Sequence, residues 1–183
     1  QNAVTNNLIL CRRLTGGGIV DHRNDWTYAL IINSCLSCAK KPASRLYEQM
    51  HQAIVNTLRI LDVQAFLAPC STNRPSSTIS LSLPQQCFVH PSTNDVLRAD
   101  GRKIAGAAIR RNRSGILLQG SVDRDALPKK FNYSIFQELL IRQLSLLLKL
   151  PKKTMINVDQ FLSKDNIEKE KKRFKSKKWN QRR

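Results

Sequence analysis

The spacing of apolar and polar positions changes several times along the chain, and each change marks an expected element. Residues 7–11, NLILC, form a short apolar strand. Trp26, Tyr28, Leu30 and Ile32 then alternate with Thr27, Ala29 and Ile31, the pattern of a strand with one well-covered face, and the two strands are expected to pair. Pro42 and Ser44 open a helix through about Asp62. Leu46, Met50, Ile54, Leu58 and Leu61 recur at helical spacing along it, and Ser44 is the expected N-cap. VQAFLA reads as a buried strand ended by Pro69. DVLRA, RKIAGAAIRRN and ILLQGSV are separated by the turns Asp100-Gly101 and Arg113-Ser114-Gly115, which describes an antiparallel meander. Ser134 and Gln137 fit a capping box at the head of a helix running to Leu150, stopped by Pro151. Its core face would be Phe136, Leu139, Leu140, Leu144, Leu147 and Leu148. Residues 70–86, rich in Ser, Thr and Pro, form the longest irregular stretch and suit a binding loop or a plain insertion.

Composition narrows the picture. A chain of 183 residues with 41% hydrophobic residues supports one domain with its own core. No apolar run approaches the length of a membrane span, and QNAVTNN lacks the basic and apolar regions of a secretory signal. Five cysteines without a scaffold spacing suggest free thiols in a reducing compartment, so a cytoplasmic location is expected. The net charge of +18 predicts attraction to nucleic acid, anionic lipid or an acidic protein without choosing among them. Residues 164–183 hold ten Lys/Arg against three Asp/Glu. They read as a solvated basic tail, with Ile167, Phe174 and Trp179 as anchors, following a domain at 1–163.

Candidate chemistry concentrates between Arg12 and Tyr28. Arg12 and Arg13 lead through Thr15 into Gly16, Gly17 and Gly18, and His22 follows. Consecutive glycines permit positive φ and close approach to the backbone. N–H groups in such a turn can cradle an anion beside the forked donors of two arginines, although a simple hairpin with basic edges has the same composition. The stretch is neither a Walker loop nor a dinucleotide fingerprint. Cys35 and Cys38 form a lone C-x-x-C, which lacks the second pair zinc needs and is read as incidental. His51, on the first long helix, reads as a surface or boundary residue without a role. In the middle meander strand Lys103, Ala105, Ala107 and Ile109 would share one face, and Ile104, Gly106, Ala108 and Arg110 the other. Small residues on both faces leave room for a slender ligand or for a closely packed helix.

Taken together, RRLTGGGIVDH, DGRKIAGAAIRRNRSGILLQGSV and, more weakly, FKSKKWNQRR resemble the biotin/lipoate protein ligase superfamily, in its lipoate-protein ligase and octanoyltransferase branch. The resemblance covers most of the chain from Arg12 onward. It implies an α/β (α+β) fold, a mainly antiparallel sheet flanked by helices, of the class II synthetase-like biotin/lipoate ligase catalytic type. It also implies that the glycine turn, His22 and Lys103 surround an eight-carbon acyl or lipoyl chain, with Arg12 and Arg13 beside the head group and Gly106 and Ala107 letting the chain lie against the backbone. In one transferase subgroup the nucleophile stands in a Cys-Phe pair with Pro-Ser nearby. Cys87, Phe88, Pro91 and Ser92 match that pattern, while Asn94-Asp95 resembles what ligases carry there.

The function this implies is transfer of an octanoyl or lipoyl group from acyl carrier protein to the lysine of a lipoyl-domain or glycine-cleavage acceptor protein. The route is a thioester on Cys87, whose thiolate Lys103 stabilises before serving, once neutral, as a base for the acceptor. Cys87 as a small buried residue is the plain alternative. Cys70 is a weaker nucleophile candidate and His90 a rival base. ATP-dependent lipoate ligation, with ATP and Mg, is the alternative function; otherwise no cofactor is permanently bound. A non-catalytic basic module is a further alternative, though aromatics at 6% disfavour nucleic acid. Family members carry a strand-helix segment before the Arg-Arg motif, so a shortened N-terminus is also expected.

Overall fold

The meander forms the centre of the sheet. The computed structural model describes residues 11–70, 91–149 and 162–181. Within them, β1 (Asp25–Asn33), β2 (Ala65–Leu67), β3 (Val96–Arg98), β4 (Lys103–Asn112) and β5 (Gly115–Asp123) form a sheet in the order β1-β5-β4-β3-β2. Every pairing is antiparallel. This is the predicted mainly antiparallel fold flanked by helices. β1 pairs along its whole length with β5, from Asp25↔Asp123 to Asn33↔Gly115. The pairing expected between β1 and the strand at 7–11 falls on residues of which only Cys11 is described.

Two helices supply the other side of the core. In α1 (Ala43–Ile60), Leu46, Met50, Ile54 and Leu58 are buried at the predicted spacing, and Leu61 is the half-buried C-cap residue. In α2 (Tyr133–Leu148), Phe136, Leu140, Leu144 and Leu148 are buried, whereas Leu139 and Leu147 are only half-buried. These side chains join Ile32, Ala105, Ile116, Leu118 and Val122 of the sheet in one cluster. Burying each large apolar side chain contributes roughly 1.5–3 kcal/mol.

Both helix starts differ from the predicted caps. Pro42 occupies the N-cap of α1 and makes no side-chain cap bond; Ser44 already lies inside the helix. In α2 the cap is Asn132, whose side-chain oxygen accepts from the N–H groups of Ser134 and Ile135, both at 3.1 Å. A capping box at Ser134 and Gln137 is therefore displaced by a residue that reaches the free N–H groups first. At the other end Lys149 takes a left-handed conformation, φ 53°.

The chain divides into two compact units, 15–153 and a smaller one made of 1–14 with 154–183. In the smaller, α3 (Lys164–Lys175) and α4 (Lys177–Asn180) carry the basic run. Trp179 is buried at 6% exposure and stacks edge-on to Phe174, with their rings 5.1 Å apart, and Arg173 lies over its ring. Trp179 Nε1 donates to the Arg12 carbonyl at 2.7 Å, and the Arg12 N–H donates to Asn180 Oδ1 at 2.7 Å. The basic segment is thus a pair of helices, exposed along most of its length, with Trp179 anchored on the segment at Arg12. No described helix is long and apolar enough to cross a membrane.

Candidate active site

Lys103 opens β4, and a register break decides where it points. Leu97 pairs with Lys103 and Val96 with Ala105, so Ile104 is skipped. Such a bulge breaks the two-residue alternation and turns a side chain onto the other face. Strict alternation would set Lys103 beside Ala105 and Ala107. Instead, its Cε and Nζ lie over Gly106, 2.6 and 2.7 Å from where a Cβ would stand. Any side chain at position 106 would occupy the place of the ammonium.

The ammonium is paired. Lys103 Nζ lies 2.8 Å from Asp95 Oδ2, and the two residues are only 5% and 0% exposed. Asp95 sits in the tight turn before β3, where Asn94 takes φ 66° and the Asp95 N–H donates to the Ser92 carbonyl. The Ser92 N–H in turn donates to Asp95 Oδ2 at 2.6 Å. Tyr47 of α1 donates its hydroxyl proton to Asp95 Oδ1, and the Tyr47 hydroxyl oxygen accepts from the Ala107 N–H at 3.2 Å. A buried carboxylate needs such donors to offset its desolvation. β3 ends opposite Ala105, so Tyr47 supplies the partner that β4's edge N–H lacks at Ala107.

One helical turn after Tyr47, His51 packs edge-on against its ring, with centroids 4.1 Å apart. His51 is fully buried rather than a surface residue, because the stripe Leu46-Met50-Ile54 carries it into the core. Its Nε2 lies 3.4 Å from the Tyr28 hydroxyl, and the Asn94 backbone lies beside the ring. Burial pulls its pKa down to about 4; the charge of Asp95 opposes that shift and the Lys103 ammonium adds to it. Burial and the same carboxylate push the Tyr28 and Tyr47 phenols well above their ordinary range.

The predicted site residues separate into groups. Thr15 is buried at 6% exposure and its hydroxyl donates to Gln119 Oε1 at 3.2 Å. Gln119 pairs with Ala108, and Ala108 shares its face with Gly106. The head of the glycine turn and the Lys103 ammonium therefore meet one face of the sheet, a relation that residue spacing alone does not contain. Gly16, Gly17 and Gly18 are exposed, and Gly17 uses the freedom expected of it, φ 101°. Ala107 lies on the opposite face, half-buried toward α1. His22 is about half exposed and bonded through Nδ1 to Asp25 Oδ2 at 2.6 Å, at the head of β1. Arg12 and Arg13 belong to the smaller unit. Cys87, Phe88 and His90 lie outside the described residues. Cys70 is an exposed free thiol, Cys35 and Cys38 are unlinked, and no cluster among the described residues could hold a metal ion.

Reading the sequence alone missed Tyr47, gave His51 no role and left Asp95 without one. The available signal was a polar pair at i and i+4, Tyr47 and His51, set among the core positions of an otherwise simple amphipathic helix.

The family model described as lipoyl protein ligase A/B catalytic domain matches residues 1–177. The chain is 31% identical over 126 residues to the octanoyltransferase LipM of Geobacillus kaustophilus, covering 69% of this chain and 45% of that protein. It is 30% identical over 131 residues to the LipM of Bacillus subtilis, covering 69% and 47%. It thus spans about half the length of the curated relatives it matches. Among solved structures, a lipoate-protein ligase A bound with ATP superposes with a TM-score of 0.61 at 22% identity, over 94% of this chain and 72% of that one. A bi-partite lipoate protein ligase from Thermoplasma acidophilum, studied with its E2 lipoyl domain, gives 0.57 at 21%, over 93% and 69%. At these identities the structural neighbours speak to the fold, and they agree with the antiparallel sheet and the helices packed on it. With the family model matched over nearly its whole length, the chain belongs to the lipoyl protein ligase A/B catalytic domain family.

Proposed function

We propose that this protein is an acyltransferase that moves an octanoyl, or lipoyl, group from acyl carrier protein to the lysine of a lipoyl-domain or glycine-cleavage acceptor. The observation that carries this reading is the Lys103 ammonium, buried and held over Gly106 on the sheet face that Thr15 also meets. A fixed cation beside a thiol favours the thiolate, the form that attacks a thioester. In the first step the Cys87 sulfur bonds to the acyl carbonyl carbon and the bond to the carrier sulfur breaks, the carrier leaving as a thiolate that takes up a proton. In the second, the neutral amine of the acceptor lysine attacks that carbon, the bond to Cys87 breaks, and the amine gives up its proton as the amide forms. Backbone N–H groups near Cys87 or in the glycine turn would receive the oxyanion in both steps, each worth about 3 kcal/mol. Cys87 stands five residues before Ser92, whose N–H holds Asp95. The exposed glycine turn and His22 would bind the acyl head group, Ala107 would line the acyl path, and the sequence motif alone proposes Arg12 and Arg13 as head-group residues.

The name of the curated relatives supports transfer of octanoyl groups, and the E2 lipoyl domain studied with one structural neighbour supports the acceptor class. The charge of +18 suits acidic partners, met in the cytoplasm, with residues 1–163 as the catalytic part and 164–183 as a basic extension that draws them in. Association steered in this way slows steeply as salt rises.

The test is incubation with octanoyl-acyl carrier protein without ATP, followed by intact mass of wild type and Cys87→Ala. A hydroxylamine-sensitive octanoyl adduct on the wild type alone is expected; no adduct on either refutes the mechanism. One observation favours ATP-dependent ligation as a second reading: Asp95, of the ligase-like Asn94-Asp95 pair, is the residue that engages Lys103. Pyrophosphate exchange that requires lipoate and Mg²⁺ would identify that chemistry.

A further inference from the structure

This inference rests on the acyl-transfer reading and concerns what aims Lys103. A lysine side chain has four rotatable bonds, and the bulge at Ile104 gives it an unusual start. Asp95 meets it at 2.8 Å, but Asp95 lies in a tight turn, and the Ser92 N–H fixes only Oδ2, the oxygen that also meets the ammonium. The other oxygen, Oδ1, is bound by the hydroxyl of Tyr47. That hydroxyl also takes the Ala107 N–H at 3.2 Å, one residue beyond the glycine over which the ammonium lies. Tyr47 thereby ties together three elements: helix α1, the turn before β3 and the open edge of β4. Its ring is braced by His51 at 4.1 Å, and His51 is itself completely buried.

We propose that Tyr47 is a positioning residue for Lys103: its hydroxyl fixes the Asp95 carboxylate against the edge of β4, and the carboxylate in turn aims the ammonium over Gly106. Tyr47 acts through Asp95 and touches neither substrate nor the reacting bond. The arrangement makes the aim of the lysine depend on the seating of a helix that carries no reacting group. Phenylalanine at position 47 keeps the ring and its packing on His51 but releases both Oδ1 and the Ala107 N–H.

Two readouts on the whole chain test this. The first needs no activity: the rate of Lys103 acetylation by acetic anhydride at fixed pH, measured by peptide mass spectrometry against exposed Lys129 and Lys130. Lys103 is expected to be strongly protected in the wild type and to react markedly faster in Tyr47→Phe. The second is kinetic: kcat for octanoyl transfer is expected to fall about 10- to 100-fold, the loss that a shift of about 1 Å in a reacting group produces, with KM for the acceptor unchanged. Combined with Asp95→Asn, Tyr47→Phe is expected to add no further loss, because both act on one contact.

Unchanged Lys103 labelling in Tyr47→Phe, or losses that multiply in the double variant, would overturn the proposal. Should Tyr47→Phe not remain folded, 3-fluorotyrosine at position 47 keeps both bonds while making the hydroxyl a stronger donor. The Lys103 labelling rate is then expected to fall, and an unchanged rate again overturns the proposal. If the wild type transfers no acyl group, the transfer reading fails, while the labelling comparison still decides whether Tyr47 holds Lys103.

Discussion

Gly106→Ala tests the site at its tightest point. Position 106 has no positive φ, so alanine fits the backbone and the whole effect comes from one methyl group. That carbon would stand 2.6 Å from Lys103 Cε, 2.7 Å from Nζ and 3.1 Å from Asp95 Oδ1, whereas ordinary contact begins at 3.4 Å. The ammonium must therefore retreat by about 0.7 Å, and its most direct path lengthens the 2.8 Å ion pair. Stretching a pair of unit charges from 2.8 to about 3.5 Å weakens their attraction by about 1 kcal/mol at an effective dielectric constant of about 20. Overpacking adds to this, for a total of about 1–3 kcal/mol. For a chain of this size the melting temperature should drop by about 2–10 °C. The rate should suffer more, because displacing a reacting group by about 1 Å costs up to about 100-fold. The assay is octanoyl transfer to a lipoyl domain under single-turnover conditions, alongside a thermal melt. Gly16→Ala, where a Cβ meets nothing within 4 Å, is the steric control for the melt and should leave it unchanged. A Gly106→Ala protein with wild-type transfer rate and wild-type melting temperature would refute the placement of Lys103 over Gly106.

Asp95→Asn should destabilise the protein by about 3–5 kcal/mol, since it leaves the Lys103 ammonium buried without its counter-charge; urea unfolding measures this, and a loss under 1 kcal/mol would show the pair to be solvated. His51, neutral in the fold with a pKa near 4 against 6.5 when unfolded, binds its proton more readily in the unfolded chain. Its contribution is complete above pH 6.5 and is lost as pH falls toward 4, about 3 kcal/mol in all. The stability-pH curve of His51→Gln should be flatter than wild type across that window, and parallel curves would contradict the burial of the ring. Asn132→Ala should cost about 1 kcal/mol through loss of the α2 cap, and Ser134→Ala far less; equal effects in denaturant titrations would return the cap to Ser134.

Much of the fold was already written in local pattern. Hydrophobic alternation located β1 and the β3–β4–β5 meander, and the spacing of Leu46, Met50, Ile54 and Leu58 located α1. Such periodicities express which side of an element meets the core, and they need no knowledge of its neighbours. The motifs around Gly16 and Lys103 likewise placed the chain in its family, because a run of glycines and a lysine on a small-residue strand are local features. Caps were less legible: Ser134 and Asn132 are both good cap residues two positions apart, and only the path of the chain entering α2 selects Asn132.

The sequence by itself therefore located the five strands and the two long helices and singled out Lys103 as the candidate lysine. The tertiary structure decided what that lysine faces. A skipped residue at Ile104 moved Lys103 from the face of Ala105 to that of Gly106, and bulges depend on how two strands align rather than on either strand's composition. The partners of Lys103 lie far along the chain or on the far side of a turn, with Tyr47 reaching Asp95 from a helix 48 positions away. Helical spacing predicted only that this part of α1 would meet the core. Once packed there, its polar groups had to find partners out of water, and the nearest were the carboxylate and the edge N–H that hold the ammonium in place.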